Sequence, residues 1–110
     1  MKLVNLRNRK ILAQNLIHAQ AWHEKAQGLI GKSEGEAIYF QTRLGIHTFG
    51  VKFSIDIVVC DFEFTVKRIF ENVGPGHIVF WNPIWNNIFE LPSGTAHPAN
   101  LSLGDRVQIK

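Results

Sequence analysis

The stretch that decides the fold is FELPSGTAHPANLSLGDRV, residues 89–107. Its first residues predict the end of a strand, and a closing strand is predicted over residues 107–109. Between these strands, residues 95–101 carry Pro98 near the first turn of a predicted short helix, with a glycine-containing turn on either side. Short elements joined in this way are typical of a mainly β domain. The stretch predicts a fold and leaves the function open.

Short apolar stretches separated by turn residues precede this block. They lie at residues 3–6, 10–17, 37–40, 45–53, 55–62, 64–73, 77–80 and 88–91. Helical spacing of apolar residues over 19–30, ending at Gly31, predicts a second short helix. We therefore predict a mainly β fold that forms one compact domain over residues 1–110. Its architecture would be a β-barrel or a two-layer sandwich of about seven or eight short strands with two short helices.

Composition favours one well-buried domain without a disulfide. The chain has 110 residues, of which 45% are hydrophobic, enough for one core and too few for two domains. Its single cysteine, Cys60, lies in an apolar run and is predicted to be an inert core thiol. No apolar stretch has the length of a signal-peptide core or a membrane span. We therefore expect a cytoplasmic protein with no membrane partner.

The charge pattern is basic but modest. The net charge is +3, and four of the basic residues fall within the first ten positions without an acid. A basic surface with aromatic residues could bind nucleic acid, but three net charges are few for that task and argue against it. The histidines are scattered without metal-ligand spacing, so we predict no metal site and no cofactor.

Two positions stand out as candidate site residues. Asp56 lies between Ile55 and Ile57 in an apolar strand, and a buried carboxylate must be hydrogen-bonded, paired or functional. It could accept backbone N–H groups from a neighbouring loop, or serve as a ligand-binding or general-base carboxylate. His47 begins another predicted strand, where it would be a core imidazole or the polar end of an apolar pocket. Thr48 would point to the opposite face.

Five blocks of the sequence resemble one known family. They are AQGLIGK at 26–32, HTFGV at 47–51, SIDI at 54–57, ELPSGTA at 90–96 and LGDRV at 103–107. Together they look like the family called domain of unknown function 192. The resemblance implies a small, mostly β protein and brings no established activity with it. Lys32 stands where that family usually has Arg, which keeps the cation but loses the bidentate fork that binds a carboxylate or phosphate.

Three functions are compatible with these residues. The leading hypothesis is a binding module for a small polar or anionic ligand near Lys32, His47, Thr48 and Asp56. The second is an enzyme that uses Asp56 and His47 for acid–base chemistry, which requires the two side chains to lie close together. The third is a protein-interaction module with Trp81 and Trp85 exposed on the loop around Pro83. The oligomeric state stays open.

Overall fold

The computed structural model of the protein describes residues 1–19, 35–43 and 45–110. Ten strands lie in these ranges. They are β1 (Leu3–Asn5), β2 (Ile11–Ala13), β3 (Leu16–His18), β4 (Ala37–Gln41), β5 (Ile46–His47), β6 (Ile55–Cys60), β7 (Val66–Val73), β8 (Ile78–Val79), β9 (Asn87–Pro92) and β10 (Val107–Ile109). The radius of gyration is 12.4 Å, close to the ~13 Å of a compact domain of this length.

The strands form three sheets. The central sheet has five strands in the order β3-β4-β9-β6-β7, the terminal sheet has the order β10-β1-β2, and β5 pairs with β8 in a two-stranded ribbon. All the pairs are antiparallel except β3 with β4, which are parallel. None of these three sheets closes on itself. The mainly β prediction is confirmed in sandwich form, and the alternative of a closed barrel is wrong for the described strands.

The central sheet is buried on both faces, which explains why every residue of β6 except Asp56 is apolar. Ile55, Ile57 and Val59 pack in one core with Val79 of the ribbon. Val58 and Cys60, which point the other way, pack in a second core with residues of the terminal sheet. The ribbon and the terminal sheet therefore lie on opposite sides of the central sheet, and the packing has three layers instead of the predicted two.

The described residues contain no helix, so the helix predicted over residues 95–101 is wrong. That segment is a series of turns whose backbone hydrogen bonds span different separations, from Ala99 N to the Thr95 carbonyl at 3.4 Å and from Leu101 N to the Ala96 carbonyl at 3.1 Å. Asn100 has a φ of 54°, which interrupts any helical run. The other predicted helix, over residues 19–30, falls almost wholly outside the described residues.

Membrane-spanning helices are likewise absent from the described ranges, since nothing helical there has the length or apolarity to cross a bilayer.

The predicted long strand over residues 45–53 is much shorter in the structure. Only Ile46 and His47 pair with the ribbon partner, because the chain turns immediately afterwards. The Thr48 carbonyl accepts a hydrogen bond from Val51 N at 3.2 Å, and this turn ends the alternation of side chains. Val51 is buried, whereas Phe49 is 51% exposed, so the two do not share a face as a continuous strand would require.

Arg7 and Asp105 connect the turn after β1 to the segment before β10. The Arg7 Nε donates to Asp105 Oδ1 at 2.7 Å, and the buried Asn5 amide donates to Oδ2 at 3.0 Å. The backbone N–H of Ser102 adds a third donor at 2.9 Å. The hydrogen bond from Arg7, followed by that from Ser102, lowers the pKa of Asp105 against the opposing effect of burial. The carboxylate is thus held ionised, and it links the turn after β1 to the segment before β10.

We expect Asp105→Asn to destabilise the protein by about 2 kcal/mol at pH 7, because a carboxylate with several donors is lost. Since the pKa is lower in the folded state, this stabilisation is complete above the ordinary aspartate pKa of about 3.9 and is lost as the pH falls through the folded value. Urea unfolding of both proteins between pH 7 and pH 2.5 should show the difference shrinking with acidity. A stability difference between the wild type and Asp105→Asn that stays constant with pH would contradict this. So would a difference equal to the one caused by Glu63→Gln, the control at an exposed carboxylate.

Candidate functional site

Asp56 is held by backbone N–H groups from two separate segments. One carboxylate oxygen accepts from Asn72 N at 2.9 Å, and the other accepts from Thr95 N at 3.0 Å and from Ala96 N at 2.9 Å. The residue is 1% exposed. Three backbone donors satisfy a buried carboxylate without a counter-ion. Asp56 therefore joins β6 to the end of β7 and to the loop after β9, as the backbone-donor alternative predicted.

Asp56 and His47 lie on opposite sides of the central sheet. Asp56 alternates with Ile55 and Ile57 and pairs with Leu91, which belongs to the core beneath the terminal sheet. His47 is on the ribbon, which packs against the other face. The acid–base pair of the enzyme hypothesis is therefore not assembled, and the ligand site predicted around both residues is divided by the sheet.

Thr48 is buried and serves the loop between β7 and β8. Its hydroxyl donates to the Gly74 carbonyl at 2.7 Å and accepts from His77 N at 2.9 Å. Its backbone N–H donates to the His77 carbonyl at 2.8 Å. With these bonds made, the Thr48 side chain positions the loop next to His47 and does not itself face a ligand.

His47 lies in a shallow groove on the outer face of the ribbon. The groove, which we call the His47 groove, has a volume of about 230 Å³ and is lined by Gly45, Ile46, His47, Phe49 and Ile78. His47 pairs directly with Ile78 across the ribbon, and its ring centroid lies 5.6 Å from that of Phe49. The imidazole therefore forms the polar end of an apolar surface, which is one of the two alternatives that the sequence offered.

The apolar surface continues past the groove onto Phe80. Ile78 and Phe80 are 58% and 69% exposed. Gly45, which has a φ of 81°, lies so close to Phe80 that a Cβ added there would be 3.0 Å from its ring and 2.6 Å from the Val79 carbonyl oxygen. A glycine is therefore required at position 45, and the Phe80 ring covers it. Together with Phe49, these side chains make a continuous exposed apolar patch.

The chain segments around this patch contain no carboxylate. Residues 42–55 and 72–89 have no Asp or Glu, and they carry Arg43, His47, Lys52 and His77. The His77 Nδ1 lies 2.9 Å from the Gly74 carbonyl, to which it donates, so that ring is oriented by its own loop. The patch is therefore apolar at its centre and cationic in its flanking sequence.

The remaining predicted site residues do not join this groove. Trp81 is only 8% exposed and packs in the core under the ribbon, so the expectation of an exposed Trp81 anchor is wrong. Its indole N–H is buried and has no hydrogen-bond partner within the described part of the chain. Trp85 is partly buried against the same core, and Ile84 is the exposed member of that loop. Lys32 lies outside the described residues.

Neither a thiol nor a metal cluster offers other chemistry in the described ranges. Cys60 is fully buried, and desolvation raises the pKa of its thiol, which keeps it protonated and unreactive. Residues 1–19, 35–43 and 45–110 contain no group of three or more His, Cys, Asp or Glu side chains that could hold a metal ion. We take the His47 groove as the candidate site, because it is lined by His47, a predicted site residue.

The predicted strand over residues 45–53 places Phe49 on the same face as His47, but sequence reasoning missed the exposure of Ile78 and Phe80 beside them. Ile78 and Phe80 lie in the predicted strand over residues 77–80, where bulky apolar side chains are normally buried. The sequence carries one signal for this exposure. Gly74-Pro75-Gly76 precedes β8 and Gly50 follows β5, and turns this close leave room for only two paired residues in each strand. Such a short ribbon can bury only one of its faces.

Two solved structures share this fold. A protein of unknown function from Novosphingobium aromaticivorans DSM 12444 has a TM-score of 0.80 and 18% identity, over 98% of this chain and 82% of that one. A protein from Sinorhizobium meliloti 1021, described as a "putative transcription regulator", has a TM-score of 0.82 and 18% identity, over 97% and 89% of the two chains. No protein-family model and no curated protein matches the chain. The resemblance to domain of unknown function 192 stays a prediction.

We expect Asp56→Asn to destabilise the protein by about 3 kcal/mol, because an amide turns an N–H₂ group toward backbone donors that now face a carboxylate. Urea unfolding followed by Trp fluorescence measures the change. Glu71→Gln, which removes one exposed negative charge from the neighbouring strand, is the matched control and should change stability by less than about 0.5 kcal/mol. Equal effects of the two substitutions would contradict the structural role of Asp56.

Proposed function

We propose that this protein is a binding module for a small anionic ligand that carries an apolar group, with the His47 groove as its site. The observation that carries the proposal is the exposed imidazole of His47 at the end of a groove whose other side chains, Ile46, Phe49 and Ile78, are apolar. A few polar groups that orient a ligand on an apolar surface are typical of small-molecule sites.

His47 is free to act as the hydrogen-bond donor. It makes no hydrogen bond to another described residue, unlike its neighbours Thr48 and His77, whose polar atoms are used within the loop. An imidazole N–H can donate to a carboxylate or phosphate oxygen, and charge assistance makes such a bond about twice as strong as a neutral one. Arg43 and Lys52 in the flanking segments favour the same sign of ligand.

The walls of the groove favour a flat or branched apolar group beside the anion. Phe49 is 51% exposed and Ile78 is 58% exposed, so a ligand that covers both removes apolar surface from water. A volume of about 230 Å³ is below the usual range for drug-sized ligands, which begins at ~300 Å³. The ligand class we favour is therefore a small aromatic or branched aliphatic acid.

Catalysis is the weaker alternative for this groove. General acid–base chemistry needs a second titratable group within hydrogen-bond reach of the same substrate atom or one water away. The carboxylate that the sequence suggested, Asp56, is on the far side of the central sheet and is occupied by three backbone donors. Binding requires only the groups that the groove already contains.

Benzoate is the probe that tests the proposal, with benzyl alcohol as its neutral counterpart. In a titration followed by NMR, we expect benzoate to shift the amide resonances of His47, Phe49 and Ile78 and the ring resonances of His47 and Phe49. Benzyl alcohol should shift them at least several-fold less. His47→Gln should weaken benzoate binding about tenfold, the value of one charge-assisted hydrogen bond.

His97→Gln is the matched control, because His97 is an exposed histidine on the loop beside Asp56 and far from the ribbon in the fold. It should leave benzoate binding unchanged. The proposal fails if benzoate causes no shift on the ribbon at millimolar concentration, or if the two histidine variants bind it equally.

A further inference from the structure

A second surface, on the outer face of the terminal sheet, combines unpaired cations with aliphatic side chains. A cleft of about 550 Å³, which we call the terminal cleft, is lined by Lys2, Val4, Leu6, Arg9, Ile11 and Lys110. Three of these residues have cationic side chains, three have aliphatic side chains, and none has an acidic side chain. The terminal cleft is separated from the His47 groove by the central sheet, so it is an independent candidate site.

Sheet pairing places two lysines directly opposite each other in the terminal cleft. Lys2 N donates to the Lys110 carbonyl at 2.8 Å, and Lys110 N donates to the Lys2 carbonyl at 2.8 Å. Residues paired in this way point to the same face, and their Cβ atoms lie roughly 5 Å apart. Like charges at directly opposite positions destabilise a sheet. An anion between the two ammonium groups would remove that repulsion.

None of the cations in the terminal cleft has a carboxylate partner among the described residues. The ion pairs that join two described residues are Arg7 with Asp105 and Lys67 with Asp61, and neither includes a cation of the cleft. Asp105, in the segment before β10, does not serve these cations, because its oxygens are occupied by Arg7, Asn5 and the backbone of Ser102. Lys2, Arg9 and Lys110 are therefore available to an external anion, and Arg9 can add a bidentate contact.

The floor of the cleft determines what else the ligand must carry. Val4 is buried at the base, and it pairs with Ile11, which is 45% exposed. Leu6 is 43% exposed beside them. These side chains are aliphatic, so the cleft lacks the aromatic rings on which bases of a single-stranded nucleic acid stack. Its concave shape and its volume fit a small molecule, whose pockets usually measure about 300–1,000 Å³.

We propose that the terminal cleft binds a small alkyl phosphate or a closely similar anionic amphiphile. Lys2 and Lys110 hold the anionic group between them, Arg9 contacts its oxygens from the turn after β1, and the alkyl chain lies over Val4, Leu6 and Ile11. Neither a phosphate without an alkyl chain nor an alkyl chain without a phosphate would use both parts of the site.

Hexyl phosphate is the probe, with inorganic phosphate and hexanol as the two half-ligands. In an NMR titration of the labelled protein at low salt, we expect hexyl phosphate to shift amides of β1 and β10 and not those of β5 and β8. Its affinity should exceed that of each half-ligand at least tenfold. Equal affinity for inorganic phosphate and hexyl phosphate would overturn the proposal, as would shifts confined to the ribbon.

The double variant Lys2→Gln, Lys110→Gln should weaken hexyl phosphate binding at least tenfold and should raise the melting temperature of the free protein at low salt, because the opposed charges are gone. Lys67→Gln, Arg68→Gln removes the same charge from β7, outside both proposed sites, and should not weaken hexyl phosphate binding. Equal binding by the two double variants would contradict the assignment. So would binding to phosphatidylglycerol vesicles or to an oligonucleotide without any response to hexyl phosphate.

Discussion

The buried carboxylate of Asp56 is the interaction on which the rest of this structure depends. A charge at 1% exposure inside an apolar strand is tolerated because three backbone N–H groups point at it. Two of those donors, Thr95 and Ala96, belong to the loop after β9. That loop in turn places Ala96, Ala99 and Leu101 in the core beneath the terminal sheet. One carboxylate thus fixes a loop, and the loop completes a core.

The same loop also supports the turn between β1 and β2. Arg7 Nη2 donates to the Asn100 carbonyl at 2.5 Å, and the Asn8 side chain donates to the Ala99 carbonyl at 2.7 Å. These carbonyls belong to the same loop as Thr95 and Ala96, whose N–H groups hold Asp56. The loop therefore connects Asp56 to the terminal sheet and hence to the Arg7–Asp105 pair.

The central sheet separates the structural polar residues from the surfaces available for binding. Asp56 and Thr48, two of the predicted site residues, use their polar atoms to hold loops, and His47 alone of the described predicted polar residues faces solvent without such a bond. On both outer layers, the exposed apolar residues occur in chain segments that carry cations and few or no acids, around Phe49 and Ile78 on one side and around Leu6 and Ile11 on the other. This pattern favours anionic ligands with apolar groups for both surfaces.

The sequence by itself determined the mainly β class, the closing strand at Val107–Ile109 and the special status of Asp56, because apolar periodicity, turn residues and an isolated buried charge are local signals. Only the tertiary structure decided that His47 and Asp56 lie on opposite faces of one sheet, that residues 95–101 form turns, and that Trp81 is buried while Phe80 is exposed. The physical reason is that these outcomes depend on which strands pair and which face each layer covers. Contacts between residues distant in the chain set both, and no local pattern records them.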